Sequence, residues 1–211
     1  MVKLLAVFGA VASLFVASSA ATAQPLPTPP DKIVITLATV NGSGCPAGTA
    51  AVAVAPDNTA FTVTYSDYLA QVGVGAKPTD FRKNCQLSLR VHVPHGFTYA
   101  IAQADYRGFA SLEKGASAVQ RANYYFQGMS QTEHRSHSFT GAYSDYWQST
   151  DVTDIAALVY APCGEQRNFN INTELRVNAG TSDPKKTTSF MAMDSTDGNI
   201  NTIYHLAWKK C

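Results

Sequence analysis

The sequence predicts an all-β fold: an antiparallel β-sandwich of jelly-roll-like architecture, with two disulfides and little helix. Short segments of period two recur along the chain, rich in Val, Ile, Thr and aromatic residues. Each is bounded by Gly, Pro, Asn or Asp, and no helix-length stretch of period 3.6 separates them. Hydrophobic residues make up 45% and aromatics 10% of the 211 residues, so the chain can fill a core and is not a disordered polymer.

The elements follow in order. Residues 33–40 are rich in β-branched side chains, and 51–55 and 60–65 flank the turn Pro56-Asp57-Asn58. Residues 66–71 are the one helical candidate, a turn or two with Ser66 as cap and Gly73 as stop. Residues 86–93 alternate most clearly, with Leu87, Leu89, Val91 and Val93 on one face and Gln86, Ser88, Arg90 and His92 on the other. Pro94-His95-Gly96 then turns the chain into 97–106, which suggests a hairpin. Residues 107–114 and 118–126 follow, punctuated by Gly115 and Gly128. Residues 168–178 alternate again, and 187–193 and 200–208 read as a closing hairpin across Ser195-Thr196-Asp197-Gly198.

Ahead of these strands, Lys3 precedes an apolar run over 4–16, and Ala21-Thr22-Ala23 offers a small-x-small cleavage site. The run is shorter than the roughly 20 residues a bilayer span needs. Residues 1–23 are therefore expected to be a signal peptide, 24–32 a Pro-rich exposed lead-in, and 33–211 a single sandwich domain. Cleavage would remove Lys3 and no acid, turning 16 basic and 15 acidic groups into an even balance. A chain of zero formal charge has no overall excess for holding nucleic acid, and short-range recognition through shape, rings and hydrogen bonds is expected instead.

All four cysteines, Cys45, Cys85, Cys163 and Cys211, follow the leader, and an even count in an oxidising compartment reads as disulfides. None of the spacings is that of a zinc knuckle. Three connectivities are open, and local stapling of Cys45 to Cys85 and Cys163 to Cys211 is the expected one.

Several strings together resemble a known family. They are Asn41-Gly42-Ser43-Gly44-Cys45-Pro46, the Tyr65-Ser66-Asp67-Tyr68 core of 61–73, Arg82-Lys83-Asn84-Cys85-Gln86-Leu87 and Ala104-Asp105-Tyr106-Arg107-Gly108. Tyr124-Tyr125-Phe126, Pro162-Cys163-Gly164, Asn170-Ile171-Asn172-Thr173 and Trp208-Lys209-Lys210-Cys211 extend the match over 33–211. The chain resembles the secreted family catalogued as domain of unknown function 4360. The resemblance implies a small secreted protein of the kind found in fungi and filamentous bacteria, and it transfers no catalytic or binding residue.

Candidate sites must come from the residues themselves. Asn41-Gly42-Ser43 is a glycosylation sequon, and it is equally a turn leading into Cys45. His134 and His137 stand three apart, which on a strand sends them to opposite faces and argues against a metal pair. Asp194 to Gly198 lacks the pattern of a calcium loop, and a hairpin turn accounts for it. Glu174 faces outward on an alternating strand, and pairing it with Asp145 would suit glycoside hydrolysis, yet the sequence places no second acid beside it. The aromatic clusters Tyr124, Tyr125 and Tyr143, Tyr146, Trp147 must each present a ring on both strand faces. With Asn168, Asn170 and Asn172 they form the candidate ligand surface.

The functional expectation is a non-enzymatic recognition module, secreted and extracellular or cell-wall associated, for a glycan or another surface component. No catalytic residue, metal or cofactor is expected. The expected partners are a cell-wall polysaccharide or a surface protein, with no nucleic acid, no membrane span and a monomeric chain. The alternatives are a secreted glycoside hydrolase-like enzyme using paired carboxylates, and a structural or host-interaction protein.

Overall fold

Alternation of side chains along two central segments generates the architecture. Leu87, Leu89 and Val91 are buried while Gln86, Arg90 and His92 are exposed, and Phe169, Ile171, Thr173, Leu175 and Val177 are buried in the facing segment. Such strands are stable only when a second layer covers the apolar face. The computed structural model describes residues 28–193 and 201–211. The expected signal peptide and the Asp197-Gly198 turn lie outside the described residues.

Twelve strands are present among the described residues: β1 (Val34–Asn41), β2 (Ala50–Val54), β3 (Ala60–Tyr65), β4 (Leu69–Gly73), β5 (Arg82–His92), β6 (Phe97–Leu112), β7 (Ser117–Phe126), β8 (Glu133–Thr140), β9 (Tyr143–Val152), β10 (Phe169–Asn178), β11 (Thr188–Ala192) and β12 (Thr202–Lys210). A single turn of 3-10 helix, Ile155–Ala157, is the only helical element described. One sheet has five strands in the order β1-β5-β10-β7-β8. The other has seven, in the order β2-β3-β12-β6-β11-β4, with β9 also paired to β6. All pairings are antiparallel, so the chain is an antiparallel sandwich.

The inner faces meet in a core unusually rich in tyrosine. Tyr65, Tyr68, Tyr99, Tyr106, Tyr124 and Tyr204 are all buried, alongside Phe61, Phe126, Phe169, Trp147 and Trp208. Phe61 stacks on Tyr204 with ring centroids 4.8 Å apart, and Tyr99 meets Phe126 edge to face at 5.4 Å. A buried hydroxyl needs a partner, and Tyr68 finds the hydroxyl of Thr173 at 3.0 Å, joining the two sheets through the middle of the core.

Cys45 is bonded to Cys85 and Cys163 to Cys211, the local pairing. The first bridge closes a loop of 40 residues and the second one of 48. Each stabilises by about 4 kcal/mol in the chain-entropy picture.

Four local expectations differ from the structure. Residues 66–71 form no helix: Tyr68 is pulled into the core and the chain enters β4, which pairs with β11. The turn at 94–96 closes no hairpin, because β5 pairs with β1 and β10 while β6 crosses to the other sheet. Residues 97–106 and 107–114 belong largely to one strand, the 16-residue β6. Glycine is required at position 108 of this strand because a Cβ there would lie 2.1 Å from the Ala192 carbonyl oxygen and 2.4 Å from the Trp147 ring. Finally, β11 and β12 do not pair with each other. Both lie along β6, with Ala192 opposite Phe109 and Thr202 opposite Tyr106.

The lead-in is exposed at Thr28, Pro30, Asp31 and Lys32, but Pro29 is buried. Asn58 holds it there: its side chain donates to the carbonyls of Pro29 and Asp31 and accepts from the Ile33 amide.

Candidate recognition face

The outer face of the five-stranded sheet carries the polar halves of its alternating strands. β5 displays Arg82, Asn84, Gln86, Ser88, Arg90 and His92, and β10 displays Asn170, Asn172, Glu174 and Arg176. β7 adds Arg121, Asn123 and Tyr125, and the edge strand β8 adds His134 and Ser136. Register places Asn172 between Gln86 and Asn123, and Glu174 between Asn84 and Arg121. Those around Glu174 and Asn172 line a groove of about 440 Å³ crossing β5, β10, β7 and β8, while Ser88, Arg90, His92, Asn170, Arg176 and Tyr125 stand on the same face outside its lining.

Glu174 is the electrostatic centre of the groove. Arg82 donates to its Oε2 at 2.5 Å, Arg176 lies 3.3 Å from Oε1 and Arg121 3.7 Å from it. The carboxylate is largely covered, with 13% of its side chain exposed, whereas the arginines are 42–51% exposed. About half of each arginine side chain therefore stays open to solvent, although the Arg176 Nε is buried without a hydrogen-bond partner.

The sequence-predicted surface divides in three. Tyr125, Asn170 and Asn172 lie on this face, and Asn168 adjoins it, donating to Ser88 at 3.0 Å. Tyr124 and Trp147 are core residues, 7% and 3% exposed, so they leave the surface. At those strand positions the inward parity of β7 and β9 puts the larger apolar body between the sheets. Tyr143 and Tyr146 sit on β9 of the other sheet, where the Tyr143 hydroxyl donates to the Tyr146 carbonyl at 2.7 Å. Tyr146 is exposed and meets Phe109 edge to face at 5.4 Å, and Phe109 meets Phe190 at 5.9 Å. Their planes are inclined by 80° and 31°, so the rings do not form a coplanar platform.

Asn41 is exposed at the end of β1, while Ser43 of the same sequon bonds Asn84 at 3.1 Å and accepts the Asn84 amide at 3.2 Å. That ties the turn before Cys45 to β5. The two histidines of β8 point oppositely. His134 faces the groove, and His137 turns inward to Asp151, 2.6 Å away. Among the described residues no group of three or more His, Cys, Asp or Glu is placed to hold a metal ion.

Sequence reasoning missed one carboxylate arrangement. Glu174 and Asp145 lie on different sheets, with Glu174 held by arginines and Asp145 accepting the Tyr146 amide at 2.7 Å. Two other acids, Glu133 and Asp151, lie at the seam where the edge strands β8 and β9 meet, and both act on the Tyr124 phenol. Glu133 binds Arg135 and Thr153, and Asp151 accepts from Tyr124 at 3.0 Å as well as contacting His137. Burial, then Tyr204 and Asp151, hold the Tyr124 phenol well above its usual range. Asp151 is itself only 5% exposed. The arrangement reads as a polar latch between the sheets. Beside it a cleft of about 540 Å³ opens between an apolar wall of Ile101, Phe126 and Phe169 and a polar wall of Glu133, Arg135 and Thr153. No short-range sequence signal announces this seam.

Among the described residues no helix is long and apolar enough to cross a membrane. A secreted protein of Arthroderma benhamiae, described only as uncharacterized, is 34% identical over 182 residues, covering 86% of this chain and 73% of the relative. The two disulfides fit an extracellular protein of the same kind. The sequence profile described as domain of unknown function (DUF4360) matches residues 31–211, and the chain belongs to that family.

Proposed function

We propose that this protein is a secreted, monomeric recognition module that binds carbohydrate outside the cell or at the cell wall, after removal of residues 1–23. The observation that carries the reading is the groove on the five-stranded sheet, where the amides of Gln86, Asn172 and Asn123 stand in one cross-strand row and Asn84 lies two residues along β5, opposite Glu174. Each planar amide offers both donors and an acceptor, which matches the hydroxyls of a sugar chain. Tyr125, half-buried on the same face, supplies one ring for stacking.

A hydrolase mechanism through Glu174 fits less well, since its oxygens are engaged by guanidinium groups. A general acid or base must reach the proton it moves. The test is retention of the mature protein on insoluble cell-wall polysaccharides, with reducing-sugar release measured in the same tubes. Retention without release is expected. Release of sugar would overturn the non-enzymatic reading, and failure to bind any glycan would overturn recognition of carbohydrate.

A further inference from the structure

The balanced total charge conceals a segregated one. Along the outward positions of β1, β5, β10, β7 and β8 stand Arg82, Arg90, Arg121 and Arg176, with His92 and His134, against the single acid Glu174. That is a formal excess of three positive charges with the histidines neutral, on one face of a mature chain expected to total zero. The rest of the mature chain holds the three balancing negative charges. Long-range selection, which the total appeared to exclude, is thus built into the distribution.

Arg82 and Arg121 in the groove and Arg176 adjoining it share one carboxylate, so two of their three charges are uncompensated by it. Like charges held this close repel, and an arriving anion relieves that repulsion while gaining forked N–H donors. The neighbouring amides are spaced along the strands to meet hydroxyls on either side of the anion.

Building on the carbohydrate reading above, we infer that the ligand class is an anionic polysaccharide, whose carboxylate or sulfate groups dock on Arg82, Arg121 and Arg176 while its hydroxyls meet the amides of β5 and β10. Charge complementarity selects this occupant over a neutral glycan. A single-stranded nucleic acid shares the charge but needs successive stacking platforms, and the face offers one tyrosine.

The experiment is affinity gel electrophoresis of the mature protein in gels containing polygalacturonate, carrageenan or neutral xylan, with a single-stranded oligonucleotide as competitor. Retardation by a polyanion that weakens as salt rises from 50 to 300 mM, about tenfold or more, is expected. Polygalacturonate and carrageenan separate carboxylate from sulfate recognition. Arg121→Ala should lower affinity about tenfold, and Glu174→Gln, which removes the only acid, should raise it about threefold. Opposite signs from two neighbouring changes are not what a structural role produces. Arg90→Ala, exposed and outside the groove, keeps the test open should Arg121→Ala fail to fold; a loss of about twofold is expected.

Binding to xylan with none to either polyanion would overturn this inference and leave the carbohydrate reading standing. Tighter binding of the oligonucleotide than of both polyanions would overturn it in favour of nucleic acid. No retardation in any gel would overturn both.

Discussion

Substituting Asn58 tests whether one side chain ties the start of the domain to its end. Asn58 is 4% exposed and adopts the left-handed backbone conformation, with φ of 59°. Its Oδ1 accepts the Ile33 amide at 3.2 Å, and its Nδ2 donates to the carbonyls of Pro29 at 3.2 Å and Asp31 at 2.8 Å. Its own carbonyl receives the indole N–H of Trp208 at 2.8 Å, 150 residues away. Asn58→Asp preserves shape and the bond from Ile33, but turns both donated bonds into contacts between a carboxylate and carbonyl oxygens. One buried and one part-buried acceptor left unpaired lower stability by about 2–4 kcal/mol, a large share of the roughly 5–15 kcal/mol of a typical domain. Asn58→Gly and Asn58→Ala remove all three side-chain bonds and differ in backbone preference alone. The glycine variant should be the more stable by about 1 kcal/mol, reversing the usual order, because alanine is strained at positive φ. Urea unfolding followed by tryptophan emission measures all three, since Trp208 reports directly on the Asn58 carbonyl. An alanine variant as stable as the glycine variant would refute the left-handed argument. An aspartate variant within 1 kcal/mol of the parent would refute the tether.

Three further outcomes are expected. Burial holds the phenols of Tyr65, Tyr68, Tyr99, Tyr124 and Tyr204 above their ordinary value of 10, so the unfolded chain releases protons that the native chain retains. Stability from these groups is intact below pH 10 and falls as pH rises further. In a 295 nm titration their phenolate absorbance should appear in the same step as loss of near-UV circular dichroism; ionisation before unfolding would contradict their burial. At Asp105, burial pushes the carboxyl up, but bonds from Thr150, Gln103 and His205 outweigh it and hold it below 3.8. Its contribution is therefore complete above pH 3.8 and lost as pH falls through the lower native value, so Asp105→Asn should destabilise by about 1–2 kcal/mol at pH 7 and progressively less in acid unfolding curves. Gly108→Ala would force a methyl against the Ala192 carbonyl and the Trp147 ring, with an expected loss of about 3 kcal/mol in urea melts and altered Trp147 emission.

The strands were legible wherever one face is buried and the other wet, because the period-two pattern is then written in the residues themselves. β5 and β10 are such cases, and both were found within a few residues of their bounds. β4 was not, since Leu69–Gly73 reads Leu-Ala-Gln-Val-Gly and takes its conformation from pairing with β11. The misplaced hairpins have different causes: β11 and β12 share a sheet, but each is antiparallel to β6 and so they run parallel to each other on its two sides. A tight turn reports a reversal of direction, but which sheet receives the next strand is decided by long-range pairing, as when β6 leaves β5 to join β12. For the site, the parity of Asn170 and Asn172 follows from alternation, whereas the choice of Tyr125 over Tyr124 as the outward ring and the gathering of Arg82, Arg121 and Arg176 around Glu174 require the sheet's layering and the register of three strands. Total charge concealed that cluster because it sums over both faces.

The residues chosen for that face argue that stability alone does not account for it. β10 is a central strand, and its outward positions are occupied by Asn170, Asn172, Glu174 and Arg176. Asn is among the poorer strand formers, and a strand optimised for folding would carry Thr or Val there. Replacing Asn172 by Thr should therefore stabilise the domain by about 0.5 kcal/mol, since the position is paired on both sides and a β-branched side chain suits a pleated surface. The same change removes an amide from the middle of the groove and should reduce retention on polysaccharide. Urea melts and affinity electrophoresis on one preparation decide the matter: a gain in stability with a loss of binding marks Asn172 as a recognition residue. A loss of stability with unchanged binding would show the amide row to be part of the scaffold.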